Sequence, residues 1–253
     1  MAGLVPLLRK ELVEQWRTLR LPVIATVFLL VGLSSPLLAR FTPELIKAVA
    51  GDQFQIVLPP PTVADAVDQL AKNLGQFGGL IAILLGMGAV ATEKERGTAA
   101  LILTKPVSRA AFLVAKLVAI GVTLAVSVAI ATAGAWFYTL VLFEPLPIGG
   151  VVAAAIFQWL ILAAWAALTF VGSTLTRSSL AAAGLGIVAF IVIGILGALP
   201  TVGRFVPTGL GGAARALALG IDGPSAVEPL VATVILILGS ALVAWLAFRR
   251  QEL

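Results

Sequence analysis

The sequence contains neither cysteine nor histidine. The first absence excludes disulfides and thiol nucleophiles, and the two together remove the commonest transition-metal ligands. Without histidine the usual general base and the usual pH switch are gone as well. Charge is also scarce: 11% of the 253 residues are Asp, Glu, Lys or Arg, against roughly 25% in an average soluble domain. Hydrophobic residues make up 60% of the chain, and the mean hydropathy is +1.10. So little polar surface cannot cover a globule in water, and the chain belongs in a bilayer. A net charge of +5 could suggest nucleic acid. In a membrane protein, though, a basic excess marks cytoplasmic loops, so no nucleic-acid partner is expected.

A transmembrane helix needs about 20 mostly apolar residues. Six stretches qualify: Leu21–Phe41, Phe77–Thr92, Ala111–Phe143, Val151–Ser173, Leu180–Leu199 and Leu230–Phe248. With the N-terminus inside, only Arg40, Lys47, Lys72, Arg204 and Arg215 of the 17 basic residues fall outside. That bias puts both termini in the cytoplasm. The first apolar run is too long for a signal peptide, its leader carries acids, and five spans follow it.

Four segments flank the spans. Residues 1–20 carry Val5, Leu8, Leu12, Trp16 and Leu19 at helical spacing, with Lys10, Glu11, Glu14 and Arg17 opposite. This pattern predicts an amphipathic helix on the cytoplasmic leaflet. The outer loop, 41–76, reads as ordered. Thr42, Pro43 and Glu44 look like a helix start and Gly51 like its stop, a stiff "LPPP" follows from Leu58, and Thr62 with Asp65 makes a capping box. Its helix is expected to run on into the second span. Residues 200–229 are glycine-rich yet apolar, with a helical run at Ala213–Leu219, and predict helical pieces that dip back into the outer leaflet.

The fourth segment, 92–110, is the most charged stretch, "EKERGTAALILTKPVSR". Glu93 and Glu95 sit at a helix C-terminus, where the macrodipole disfavours acids. Glu93 can pair with Arg96, and Gly97 can cap the helix end. A carboxylate that meets a basic partner protein is the other explanation. Thr98 can then cap a short apolar helix, which Pro106 stops from continuing far. An apolar helix between charged clusters asks for a protein groove or the membrane surface.

Glu93, Glu95, Gly97, Thr98, Pro106, Val107, Ser108, Arg109 and Lys116 stand in the order and spacing of a known motif. It is the connection between spans two and three in permease subunits of type-2, exporter-class ATP-binding-cassette (ABC) transporters, which this sequence resembles. The resemblance extends over most of the chain. It implies an all-α integral membrane protein with six transmembrane helices, an N-terminal cytoplasmic interfacial helix, a cytoplasmic coupling helix between spans two and three, and re-entrant pieces between spans five and six, all forming one permease domain over residues 1–253. It further implies that two permeases, this chain with a second copy or a related chain, form the pathway. Separate cytosolic ATPase subunits, which bind ATP and Mg, would grip the coupling helices, with export as the usual direction. The contact residues so implied are Glu93, Lys94, Glu95, Arg96, Gly97, Thr98, Leu101, Pro106, Ser108 and Arg109. The expected location is a prokaryotic inner or plasma membrane.

The chain has no G-x-x-x-x-G-K-[ST] and no Gly-Lys dipeptide, so it carries no P-loop and is not expected to hydrolyse ATP. No cofactor or metal is expected in the chain itself. No acid or base lies clearly at mid-depth in a span, which weakens an ion-driven carrier. Gln158 is the most polar deep residue, with an interhelical hydrogen bond its first expected role. Ser34 and Ser35 are candidate pathway residues, because the resemblance places spans one, two and five near the central axis; Gln158 is the third candidate. Ala182/Gly186 and Gly194/Ala198 are small-residue pairs that permit close helix approach. An ATP-independent carrier, channel or membrane scaffold is the alternative, and an intramembrane enzyme has no positioned nucleophile to support it.

Overall fold

The computed structural model describes residues 3–50, 59–104 and 107–251, and among these the chain is helical throughout, without a strand. The order is α1 (Leu4–Arg17), α2 (Arg20–Ala50), α3 (Val63–Asn73), α4 (Gly79–Met87), α5 (Ala91–Glu95), α6 (Thr98–Leu103), α7 (Arg109–Leu142), α8 (Ile148–Leu175), α9 (Ser179–Gly197), α10 (Leu210–Leu219) and α11 (Val227–Arg249). Six helical stretches are long and apolar enough to cross a membrane: Arg20–Ala48, Val63–Glu95, Arg109–Leu142, Ile148–Leu175, Ser179–Gly197 and Val227–Arg249. They correspond one to one with the six apolar runs of the sequence.

The second span is longer than its apolar run because its helix starts in the loop. Asp65 accepts from the Thr62 backbone N–H at 2.7 Å, which is the acid-to-cap half of a capping box. A π turn over Leu74–Gly78 then joins α3 to α4.

The start expected at Thr42–Pro43–Glu44 does not exist. These residues continue α2, with Pro36 and Pro43 both inside one 31-residue helix. Thr42 does not cap; its hydroxyl donates to the Leu38 carbonyl one turn back at 2.5 Å. Side-chain bonds of this kind are among the adjustments by which long apolar helices carry proline. Gly51, Leu58 and Pro106 lie outside the described residues.

Packing centres on α8, which touches α4, α7, α9, α10 and α11. The first and third spans, α2 and α7, form the other main contact. Glycine makes that contact close, since a Cβ at Gly32 would collide with the Ala131 carbonyl. In α9 the two small-residue pairs differ. Ala182 and Gly186 are buried, and a Cβ at Gly186 would run into Thr169 of α8, whereas Gly194 faces open space. After α9 the chain makes two short 3-10 turns before α10. The latter ends with Gly220 at φ 66°, Ile221 N–H bonding Ala216 O and Gly220 N–H bonding Leu217 O. That is a Schellman ending, and it requires the left-handed conformation that glycine supplies.

The amphipathic helix α1 turns part of its polar side, Glu11 and Gln15, toward the protein. Val5, Trp16 and Leu19 are exposed, while Gln15 is buried against α7 and its amide oxygen accepts from Thr123. Leu8 and Leu12 are half-buried, and the exposed ends of the stripe suit contact with lipid.

Candidate functional site

Lys116 stands two turns into α7 with only 5% of its surface exposed. A buried ammonium needs carboxylates around it, and it has two: Glu93 of α5 at 2.7 Å and Glu11 of α1 at 3.1 Å. Lys10 extends the cluster, 3.1 Å from Glu11, 3.0 Å from Glu14 and 3.5 Å from Glu93. Burial alone would lower the Lys10 pKa, but the surrounding carboxylates outweigh it and raise the value. For Glu14, burial pushes the carboxyl up and the bond and charge of Lys10 pull it lower, with a net downward shift. Three elements far apart in sequence are thus pinned at one point.

The next two cations hold helix ends. Lys94 Nζ donates to the carbonyls of Thr174 and, at 3.2 Å, Thr176, where α8 finishes. Arg109 Nη1 reaches Phe248 O at 3.0 Å, Arg249 O at 3.1 Å and Gln251 O at 2.9 Å, where α11 finishes. The last carbonyls of a helix have no internal partner and carry the negative end of its dipole, so a cation there satisfies both. The sequence reading missed Ser173. Its fully buried hydroxyl accepts from Val90 N–H at 3.0 Å and Ala91 N–H at 2.9 Å, the donors freed where α4 breaks before α5. A serine near a helix C-terminus has no local mark of that role.

The remaining motif residues point elsewhere. Gly97, at φ 69°, turns the chain between α5 and α6. Thr98 begins α6, and its hydroxyl bonds Glu93 O at 3.2 Å instead of capping. Ser108 is the cap of α7, accepting from Ala111 N–H at 3.1 Å. Ala99 is buried and Ile102 packs inward, but Leu101 is 68% exposed, with Glu95 and Arg96 also exposed. The segment therefore has an inner side that ties helices together and an outer side of Glu95, Arg96 and Leu101. Between α1 and this segment lies an open cavity of about 370 Å³ with Lys10, Glu14, Arg20 and Arg96 on its walls.

Comparison with known proteins decides what this arrangement belongs to. The model of the ABC-2 family transporter protein matches residues 5–253. This chain belongs to the ABC-2 transporter family. It is similar to YxlG, an uncharacterized transmembrane protein of Bacillus subtilis (strain 168), at 30% identity over 191 residues, which are 74% of this chain and 73% of that protein. The chain is accordingly a transmembrane permease of an ABC transporter, a membrane transport component and not the catalytic one.

In this ABC-2 permease the three candidate pathway residues lie apart from the charged cluster. Ser35 is fully buried; its hydroxyl donates to Val31 O at 2.6 Å and accepts from Asn73 Nδ2 at 2.9 Å. It clasps the first span to the second. Ser34, half-buried, bonds the same carbonyl at 3.2 Å. Gln158 is buried, yet its Nε2 finds no partner among the described residues. The expected interhelical bond from that nitrogen is absent there. No group of three or more Asp or Glu able to hold a metal occurs among the described residues.

Proposed function

We propose that this permease pairs with a second copy or a related permease to form a substrate pathway, and that separate cytosolic ATPase subunits, loaded with ATP and Mg, drive it through α5 and α6. The termini lie in the cytoplasm of a prokaryotic cell whose plasma membrane the six spans cross, and the substrate moves outward. Contact with the ATPase falls on the outer side of the segment, at Glu95, Arg96 and Leu101, with Gly97 and Thr98 shaping the turn between them. Glu93, Lys94, Ser108 and Arg109 act one layer behind.

The observation that carries this reading is the double-sided segment. A push on Leu101 has four routes into the bundle: through Glu93 to Lys116 of α7 and to α1, through Lys94 to the end of α8, and through Arg109 to the end of α11. A purely solvated loop has no reason to commit so many side chains inward while leaving a leucine 68% exposed. The missing P-loop agrees with hydrolysis in another subunit.

The test is Leu101→Asp with Glu95→Lys, purified from membranes in mild detergent. We expect a normally folded permease that no longer copurifies with a P-loop protein and no longer stimulates its ATPase activity. A wild-type chain that transports with no ATPase present would replace this reading with an ATP-independent carrier or channel. A wild type with no ATPase partner and no transport would leave a scaffold.

A further inference from the structure

The open cavity of about 370 Å³ between α1 and the charged segment holds more positive charge than its own ion pairs consume. On its walls Glu11, Glu14 and Glu93 share Lys10 and Lys116 in the contacts already described. Two cations remain. Arg20 and Arg96 are both exposed, and among the described residues neither guanidinium makes a hydrogen bond or an ion pair. Arg20 acts on Glu14 through space only. Four cations against three carboxylates leave the wall one positive charge in excess. Each arginine is set by a left-handed corner. Leu19, at φ 58°, turns the chain from α1 into α2 just before Arg20, and Gly97, at φ 69°, turns it from α5 into α6 just after Arg96. A bulky side chain takes such a φ only where the surrounding structure holds it.

We propose that this cavity binds a phosphodiester monoanion, the headgroup phosphate of an anionic glycerophospholipid, between Arg20 and Arg96. Its single negative charge matches the single positive charge in excess. The planar fork of a guanidinium suits the paired oxygens of a phosphate, and basic pockets between spans are where anionic headgroups bind. Depth agrees. The first span is 29 residues long, about 43 Å at 1.5 Å per residue, which is the thickness of a bilayer with its headgroups, about 40–45 Å. Arg20 opens that span and Arg96 follows the last residue of the second, so both stand among headgroups. Further into the bundle the cavity wall turns apolar, at Leu85, Ala89 and Ile120. A soluble phosphate ester offers the same oxygens, and it is this apolar wall that favours a lipid. The bound phosphate bridges the start of α2 to the turn between α5 and α6.

The experiment is native mass spectrometry of the full-length permease, purified without an ATPase and so independent of the docking proposed above. It is given dioleoyl phosphatidylglycerol or dioleoyl phosphatidylcholine, whose choline cancels the phosphate charge. We expect one phosphatidylglycerol retained per chain, preferred by about tenfold, as one charge-assisted contact predicts. Arg20→Gln and Arg96→Gln should each cut that preference severalfold, and the double variant should erase it. Arg40→Gln, an exposed arginine further along α2, should leave it unchanged. Glycerol phosphate in large excess, a head without chains, should displace little of the lipid; full displacement would support the phosphate site with a soluble occupant. Equal retention of the two lipids by the wild type would overturn the proposal. So would a preference that survives in the folded single or double variants, or one that Arg40→Gln reduces as far.

Discussion

Replacing Lys116 by methionine keeps the length and most of the volume of the side chain while removing its charge. The carboxylates of Glu93 and Glu11 then lose a cation at 2.7 and 3.1 Å. At an effective dielectric of about 20, attractions at such distances are worth roughly 5–6 kcal/mol each, before desolvation is subtracted. Burying the ammonium offsets several kcal/mol of that. What remains after the lysine is gone is two largely buried carboxylates held by Lys10 alone, and breaking a buried pair in this way costs about 3–5 kcal/mol. Because Lys10 stays and Glu93 keeps some access to solvent, at 17% side-chain exposure, the lower end applies, about 3 kcal/mol. For a chain of this size that is a fall in Tm of roughly 6–12 °C. Thermal unfolding in detergent, followed by near-UV dichroism, measures it. The triple variant Lys116→Met, Glu93→Gln, Glu11→Gln should recover more than half of the loss, because it removes the stranded charge. A fall below about 2 °C for Lys116→Met, or no recovery in the triple variant, would refute the view that this cluster holds α1, α5 and α7 together.

Three further outcomes follow from the same geometry. Arg109→Ala should strand three carbonyls that one nitrogen, Nη1, now reaches, and amide exchange in the last turn of α11 should quicken; Arg109→Lys, whose single ammonium offers three donors, should lose less. The contribution of the Lys10–Glu14 pair should be constant across the neutral range. Glu14 is held below its ordinary pKa, so its share is present above the unfolded value, about 4.3, and is lost as pH falls through the folded one. Lys10 is raised, so its share is present below about 10.4 and is lost as pH rises past its folded value. Proteolysis within α1 across pH 3–11 would show it, and a steady drift through pH 6–8 would contradict it. Finally, Gly186→Leu should prevent folding, since the added atoms meet Thr169. Gly194→Leu should leave the single chain as stable as wild type within about 0.5 kcal/mol and weaken only the association of two permeases, read by cross-linking.

The spans were legible because their signal is local: a run of apolar residues long enough for a bilayer marks itself. Gly97 and the Thr62–Asp65 box were legible for the same reason, each being a cap defined by neighbours within a few positions; Ser108 was read only as part of the motif, and its cap of α7 was not. The partners of the charged residues were not. Glu93 reads as a match for Arg96 three residues on, but it bonds Lys116, 23 residues away. Lys94 and Arg109 end on backbone carbonyls, which every residue possesses and no residue type advertises. Thr42–Pro43–Glu44 resembles a helix start in water, yet a continuous helix carries it here. Of the stripe on α1, Val5, Trp16 and Leu19 are exposed and Leu8 and Leu12 half-buried. What the spacing left open was which side would meet the protein, because in a bilayer the apolar side need not be the buried one.

The two sides of the charged segment can change independently. Its inward residues answer to four helices at once, so a substitution there disturbs the frame. Among the described residues, the side chains of Glu95, Arg96 and Leu101 make no hydrogen bond or ion pair. On the contact proposed above, a lineage of such proteins could exchange one motor for another through a handful of surface replacements, and an engineer could graft a foreign docking face onto this permease without redesigning a single span.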